Sequence, residues 1–188
     1  MLPANDALLT YIENLFQREA RREDIDLKKV AKGELLLRQG QPTTKLFIIK
    51  DGITKCFLSE ENGKNYLMAF LGKGEIVGEL EAIRKQSCFC NVEALMDVQA
   101  YTLSISYFKT LLEKDLTLSN LLLHVFAERL NHTSSRASFQ QLYTMEHSLS
   151  KLLALQANLR ISISKEDMAA YLGITVRSLN RILGQKNE

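Results

Sequence analysis

Residues 161–183 read Ile-Ser-Ile-Ser-Lys-Glu-Asp-Met-Ala-Ala-Tyr-Leu-Gly-Ile-Thr-Val-Arg-Ser-Leu-Asn-Arg-Ile-Leu, and they contain a start signal, a break and a second start. Ser164 is a good N-cap, with Asp167 at the capping-box position three residues on. Met168, Ala169 and Leu172 recur at helical spacing and are predicted to face inward. Gly173 stands where a left-handed residue ends a helix, and Thr175 caps the next one. That second helix is predicted from about Thr175 to Gly184. Ile174, Val176, Leu179, Ile182 and Leu183 give it one apolar side, while Arg177, Ser178, Asn180 and Arg181 line the other. A small residue at Ala169, a glycine in a short turn and an outward polar helix make a helix-turn-helix pattern, whose second helix enters the DNA major groove. Thr175, Val176, Arg177, Ser178, Asn180 and Arg181 are therefore the candidate DNA contacts. On these residues alone the alternative is an ordinary helical hairpin with a solvated face.

Glycine placement divides the rest of the chain. Seven of the nine glycines (Gly33, Gly40, Gly52, Gly63, Gly72, Gly74, Gly78) fall in one stretch, and none recurs before Gly173. Short apolar segments between frequent glycines predict an antiparallel β domain. Leu46–Ile49 reads as a buried strand ending at Lys50-Asp51-Gly52. Ile53–Leu58 and Tyr66–Leu71 flank Asn62-Gly63, a dipeptide that favours a type I′ hairpin turn. Val92–Leu95 and Val98–Leu103 supply the last strands. Before the β domain, Leu8, Leu9, Ile12, Leu15 and Phe16 predict a helix packed outside the sheet.

A glycine-free block runs from Ser106 to about Gln156. Leu111 and Leu112 mark a short helix, and a longer one is predicted from about Thr117 to Tyr143. Some 27 residues of helix span about 40 Å, too long for a β domain of this size to cover. Its apolar stripe, with Leu118, Leu122, Val125 and Phe126, is therefore expected to meet a second copy of the chain. Packing of its first half on its own domain is the alternative. Leu149, Leu152, Leu153 and Leu155 begin the helix leading into the C-terminal module. The expected division is a sensor domain over 1–115, a dimerisation helix over 116–143 and a DNA-binding domain over 144–188.

Whole-chain numbers suit a binding protein of the cytoplasm. The 188 residues are 46% hydrophobic and 24% charged, an ordinary globular balance. Net charge is only +2, but from Gln140 onward six Lys/Arg face four Asp/Glu, and Thr175 to Lys186 holds no acid. That makes a local basic face. No apolar run approaches a membrane span, no basic start leads into an apolar core and cleavage site, so export is not expected, and three cysteines suit a reducing compartment. No nucleophile elbow, phosphate-binding glycine loop or metal-ligand pair occurs, so no enzymatic activity is expected. Lys32-Gly33-Glu34 and Lys73-Gly74-Glu75 have the spacing of turns.

The order of β domain, long helix and helix-turn-helix resembles the cyclic-AMP receptor protein and fumarate-nitrate regulator (Crp/Fnr) superfamily of bacterial transcription factors. The matching residues are Gly33-Glu34 with Gly40, Leu46–Gly52, Gly63-Lys64, Gly74–Glu79 and the closing module 161–183. The resemblance implies an α+β chain: an antiparallel β-roll of the cyclic-nucleotide-binding kind (a double-stranded β-helix), a long dimerisation helix and a C-terminal helix-turn-helix domain. It implies a homodimer on a palindromic double-stranded DNA site, with RNA polymerase as a further partner and no membrane. An alternative function is a dimeric ligand-sensing or protein-interaction module that no longer binds DNA. Family members carry a β hairpin, the wing, after the recognition helix. Here the sequence stops at Lys186-Asn187-Glu188, so an incomplete wing is expected, from a shortened member or a fragment.

The resemblance also places an effector pocket. Where the family binds a cyclic nucleotide, a Gly-Glu pair and a downstream Arg-Ser pair hold the sugar and phosphate. Gly78-Glu79 fits the first pair, but the second falls on Cys88-Phe89. An arginine pairs bidentately with phosphate, and a thiol with an apolar ring cannot. Thr133-Ser134 on the long helix match polar residues that touch the base. The candidate effector residues are thus Glu79, Cys88, Phe89, Thr133 and Ser134, with the effector unknown and cyclic AMP not expected. No cofactor is expected either. The fumarate-nitrate branch holds an iron–sulfur cluster on several N-terminal cysteines, whereas this chain has none before Cys56. Cys88 and Cys90 would share a strand face about 7 Å apart, the edge of disulfide reach, and buried apolar cysteines are the default reading.

Overall fold

A computed structural model of the chain describes residues 5–19 and 23–185. The elements run in the order α1 (Asp6–Arg18), β1 (Ile25–Val30), β2 (Leu35–Leu37), β3 (Lys45–Asp51), β4 (Thr54–Ser59), β5 (Asn65–Leu71), β6 (Ile76–Val77), α2 (Glu79–Arg84), β7 (Asn91–Ala94) and β8 (Val98–Ser104), followed by α3 (Ile105–Lys114), α4 (Leu116–Leu142), α5 (Met145–Leu159), α6 (Lys165–Leu172) and α7 (Val176–Gln185). They gather into two compact units, residues 2–59 with 68–126 and residues 60–67 with 127–188, so that the boundary falls inside α4.

The first unit holds most of an antiparallel roll of two four-stranded sheets, ordered β1-β8-β3-β6 and β2-β7-β4-β5. Side chains alternate across a strand, and the first sheet uses both faces. Ile25, Leu46, Ile48, Ile76 and Leu103 lie on one side against α1, α3 and the first half of α4. Phe47, Ile49, Val77, Val98 and Ala100 lie on the other, facing Cys56, Val92 and Ala94 of the second sheet. Lys55 bonds Glu93 at 3.2 Å across the β4–β7 register, where the two are directly paired. Helix α1 begins at Asn5, whose Oδ1 accepts from the Leu8 amide at 3.1 Å. Tyr11 of the same helix donates its hydroxyl to Asp115 at 2.7 Å. Asp115 in turn accepts from Thr117 N at 2.8 Å and Leu118 N at 3.4 Å, capping α4. Among the described residues no helix is long and apolar enough to cross a membrane.

Two expectations are corrected. The turn at Asn62-Gly63 is not type I′: Gly63 alone has positive φ, at 77°, and its amide donates to Glu60 O at 2.9 Å. Asn62 instead accepts from Lys64 N with its own side chain, at 3.0 Å. A three-residue loop closed by a left-handed glycine follows the strand twist without a second positive φ. The second correction concerns α4. Leu118, Leu122 and Val125, expected at a dimer seam, are at most 2% exposed and belong to the core of their own β-roll, with Phe126 packed partly against it. Burial of such side chains is worth about 1.5–3 kcal/mol each, and the nearest sheet offers it within one chain. Leu116, Leu123 and Leu130, which are 80%, 65% and 68% exposed, are left outside and recur every seventh residue, while Leu142 at the helix end is 76% exposed and off that repeat.

Candidate nucleic-acid interface and sensor site

The helix-turn-helix forms from local signals. Ser164 Oγ accepts from the Asp167 amide at 3.0 Å and opens α6. Gly173 closes α6 in the left-handed region at φ 71°, its amide donating to Ala169. Thr175 Oγ1 then accepts from Ser178 N at 3.1 Å, which starts α7. Met168, Ala169 and Leu172 of α6 and Leu179 and Ile182 of α7 are buried. These contacts fix the roll of α7 about its axis.

The six predicted DNA contacts then separate. Arg177, Asn180 and Arg181 are exposed at spacings of three and four, one continuous face of the helix. Thr175 is exposed, but its hydroxyl serves the cap and lies 3.0 Å from that of Ser178. Ser178 and Val176 are half-buried. Lys165, missed in the sequence, donates to Asn180 Oδ1 at 2.8 Å and adds a cation beside Arg177 and Arg181. A cation in the first turn of α6 opposes the helix dipole, and that local misfit was the available signal.

Arg136 is a second residue that sequence reading missed. From α4 its Nη2 donates to Tyr171 O at 2.7 Å and to Leu67 O at 2.8 Å. The guanidinium lies 4.1 Å from the Tyr171 ring and 5.3 Å from that of Tyr66. The last carbonyls of α6 lack helical partners, so a planar cation there supports the end of the first helix-turn-helix helix. Nearby, the rings of Phe139, Tyr143 and His147 stack across the α4–α5 turn, with Lys151 Nζ 3.5 Å from the Phe139 centroid.

In the β-roll, Gly78 precedes α2 at φ 93°, and a Cβ there would stand 3.0 Å from Leu46. Glu79 and Glu81 on α2 are buried, 3% and 5% exposed. Glu81 Oε1 accepts the backbone amide of Phe89 at 2.8 Å. Cys88 is buried, with its amide on Gln41 O and its carbonyl taking Gly40 N. Burial first, then the Glu81 carboxylate, pushes the Cys88 thiol above its usual range and keeps it neutral. The Phe89 side chain is half exposed. Arg84 and Lys85 are exposed at the end of α2. Thr133 and Ser134 are exposed on α4 and belong to the other unit.

These residues do not fit a cyclic phosphate. At the place where a guanidinium and amide would hold an anion, the chain has a neutral thiol and an amide already bonded to its own carboxylate. An anion brought there meets Glu81, and like charges at close range repel. Nor do the cysteines fit an iron–sulfur cluster, which several thiolates must hold. Among the described residues no group of three His, Cys, Asp or Glu side chains could hold a metal.

Comparison with known proteins agrees with this architecture. Residues 27–115 match the cyclic nucleotide-binding domain family. The chain is 25% identical over 172 residues to electron transport regulator A of Shewanella oneidensis, covering 84% of this chain and 67% of that protein. It is 21% identical over 192 residues to the anaerobic regulatory protein of Haemophilus influenzae, covering 96% and 71%. The c-di-GMP-responsive global regulator CLP of Xanthomonas campestris shares the fold with a TM-score of 0.79 at 14% identity, over 95% of this chain and 91% of that one. Residues 27–115 thus resemble a cyclic nucleotide-binding domain, within a chain similar to curated regulators of the FNR and HlyX type, and its fold is shared by solved structures that include a putative transcriptional regulator of the Crp/Fnr family.

Proposed function

We propose that the chain is a cytoplasmic, homodimeric DNA-binding transcription regulator of the Crp/Fnr type, and that its β-roll does not bind cyclic AMP. The observation that carries DNA binding is the face of α7: Arg177, Asn180 and Arg181 stand exposed over a helix anchored by buried Leu179 and Ile182. Arginine and asparagine are the side chains that read guanine and adenine edges in the major groove. The regulators named among its homologues support the same role. Functionally the chain divides into a sensor over 1–115, a connecting helix over 116–143 and a DNA-binding part over 144–188. Lys186–Glu188, where a wing would begin, lie outside the described residues.

Homodimerisation is supported by Leu116, Leu123 and Leu130. Exposed leucines repeated every seventh residue form a seam that pairs with its own copy by two-fold symmetry, and a two-fold dimer suits a palindromic site. RNA polymerase is the further partner this role requires. Thr175 and Ser178 support the helix through its cap. The mismatch of Cys88, Phe89 and Glu81 with a cyclic phosphate supports a different effector, or none.

Selection from random duplexes followed by salt titration tests the function. Expected is enrichment of a palindrome, with affinity falling steeply as salt rises. Arg177→Ala is expected to lose about 1–3 kcal/mol on the selected site and to relax one base position. A folded dimer that enriches no duplex is instead a sensor or protein-interaction module.

A further inference from the structure

Cys56 and Cys90 lie 34 residues apart in sequence, yet their sulfurs are 2.8 Å from each other. The β4–β7 register explains the meeting. Cys56 pairs with Val92 and Phe57 with Asn91, so Cys90, just before β7, is the diagonal neighbour of Cys56 on the same inward face. Both side chains are 9% exposed, inside the apolar core between the sheets. A disulfide requires side-chain vectors that converge, and sulfurs 2.8 Å apart show that these two do. Cys88, two residues away, is bonded through its backbone to Gly40 and Gln41 and stays a neutral bystander. A metal would need a further ligand, and among the described residues no group of three ligands occurs.

We propose that Cys56 and Cys90 form a reversible dithiol–disulfide site in the β-roll, oxidised by hydrogen peroxide and restored by a dithiol reductant. One thiol loses its proton and attacks a peroxide oxygen. The O–O bond breaks, the leaving hydroxide takes a proton to become water, and the sulfur is left as a sulfenic acid. The second sulfur, deprotonated in turn, displaces that hydroxyl as a second water, and the S–S bond forms. The two sulfurs together give up two electrons, the peroxide gains them, and both thiol protons end in water. The bond ties β4, which runs into the 60–64 turn, to the segment that carries Cys88 and Phe89.

The full chain, reduced and freed of reductant, is treated with hydrogen peroxide, denatured in an alkylating reagent and digested with trypsin. Cleavage after Lys55 and Lys85 puts Cys56 on one peptide and Cys88 with Cys90 on another. Expected are three alkylated thiols before oxidation and one after it, at Cys88. The two peptides then appear joined and lighter by two hydrogens, and dithiothreitol separates them. Cys88→Ser keeps the link, while Cys90→Ser loses it. Since the parent protein alone carries the decisive readout, a variant that fails to fold does not blunt the test. Three alkylated thiols after peroxide, a Cys56–Cys88 link, a link between two chains, or oxygen adducts in place of a link would each overturn the proposal.

Discussion

Leu123→Glu and Val125→Glu change two positions of one helix, and their environments give them opposite consequences. Leu123 is 65% exposed in the single chain, so about two-thirds of its surface remains for a second copy to cover. Full burial of a leucine is worth about 1.5–3 kcal/mol, leaving roughly 1–2 kcal/mol at this position. Two-fold symmetry doubles the contact, so its loss weakens association by about 2–4 kcal/mol. That corresponds to a dissociation constant about 30- to 700-fold higher. Carboxylates facing each other across the axis add to the effect. Val125 is 2% exposed among Leu118, Leu122 and the sheet, where a carboxylate has no water, and burying it there costs several kcal/mol of folding stability. Sedimentation equilibrium and urea unfolding read the two effects separately. Leu123→Glu is expected to give folded monomers, and Val125→Glu a destabilised chain. A Leu123→Glu dimer of unchanged affinity, or a Val125→Glu protein of full stability that merely dissociates, would refute the assignment of the two faces.

Calorimetric titration with cyclic AMP is expected to show no binding as tight as about 10 µM, or about −7 kcal/mol. Saturable binding at that level would mean that a cation such as Arg84 reaches the phosphate. Lys165→Ala frees Asn180 Oδ1 for bidentate pairing with adenine and is expected to shift base choice at one position by about 1–3 kcal/mol without changing the melting midpoint; identical preferences in the two proteins would rule this out. Tyr11→Phe removes the hydrogen bond that is the main cause of the lowered Asp115 pKa. A carboxyl depressed in the folded state stabilises above its unfolded pKa, and that contribution is lost as pH falls through the folded value. The variant should therefore be less stable than the parent at neutral pH, with the gap closing in acid, and its Asp115 carboxyl should titrate higher by NMR. A pH-independent gap would show that the ion is not involved.

Local signals were the readable part of this molecule. Ser164, Gly173 and Thr175 act within four residues of their own positions, and all three cap as expected. Glycines from Gly33 to Gly78 marked the turns of the roll, and the long helix was placed to within a residue at each end. What escaped depends on residues far apart in sequence. Helix α4 carries two apolar stripes of similar period, and only the packed sheet decides that Leu118, Leu122 and Val125 go inward. The Cys56–Cys90 contact follows from a strand register, and the Lys165–Asn180 and Arg136–Tyr171 contacts from helix packing; no short motif encodes these. Helix α2 is a single short segment after Gly78, and its role came from Glu81, which the Gly-Glu pattern did not single out.

Viewed down its axis, α4 advances about 100° per residue. Leu116 and Leu118, like Leu123 and Val125, are two residues and thus about 200° apart, so the leucines left outside and the side chains held in the roll project from opposite sides. In the proposed dimer this helix is gripped on both sides and resists turning. Rotation by even one residue would lift Leu118, Leu122 and Val125 out of the sheet and give up about 5–9 kcal/mol of burial. Sliding against a second copy by one full repeat means a jump of about 10 Å. A hinged change in the crossing angle of two such helices keeps both stripes covered at every stage. In the proposed dimer the easy motion of this shaft is therefore scissoring, with spin blocked by its own leucines.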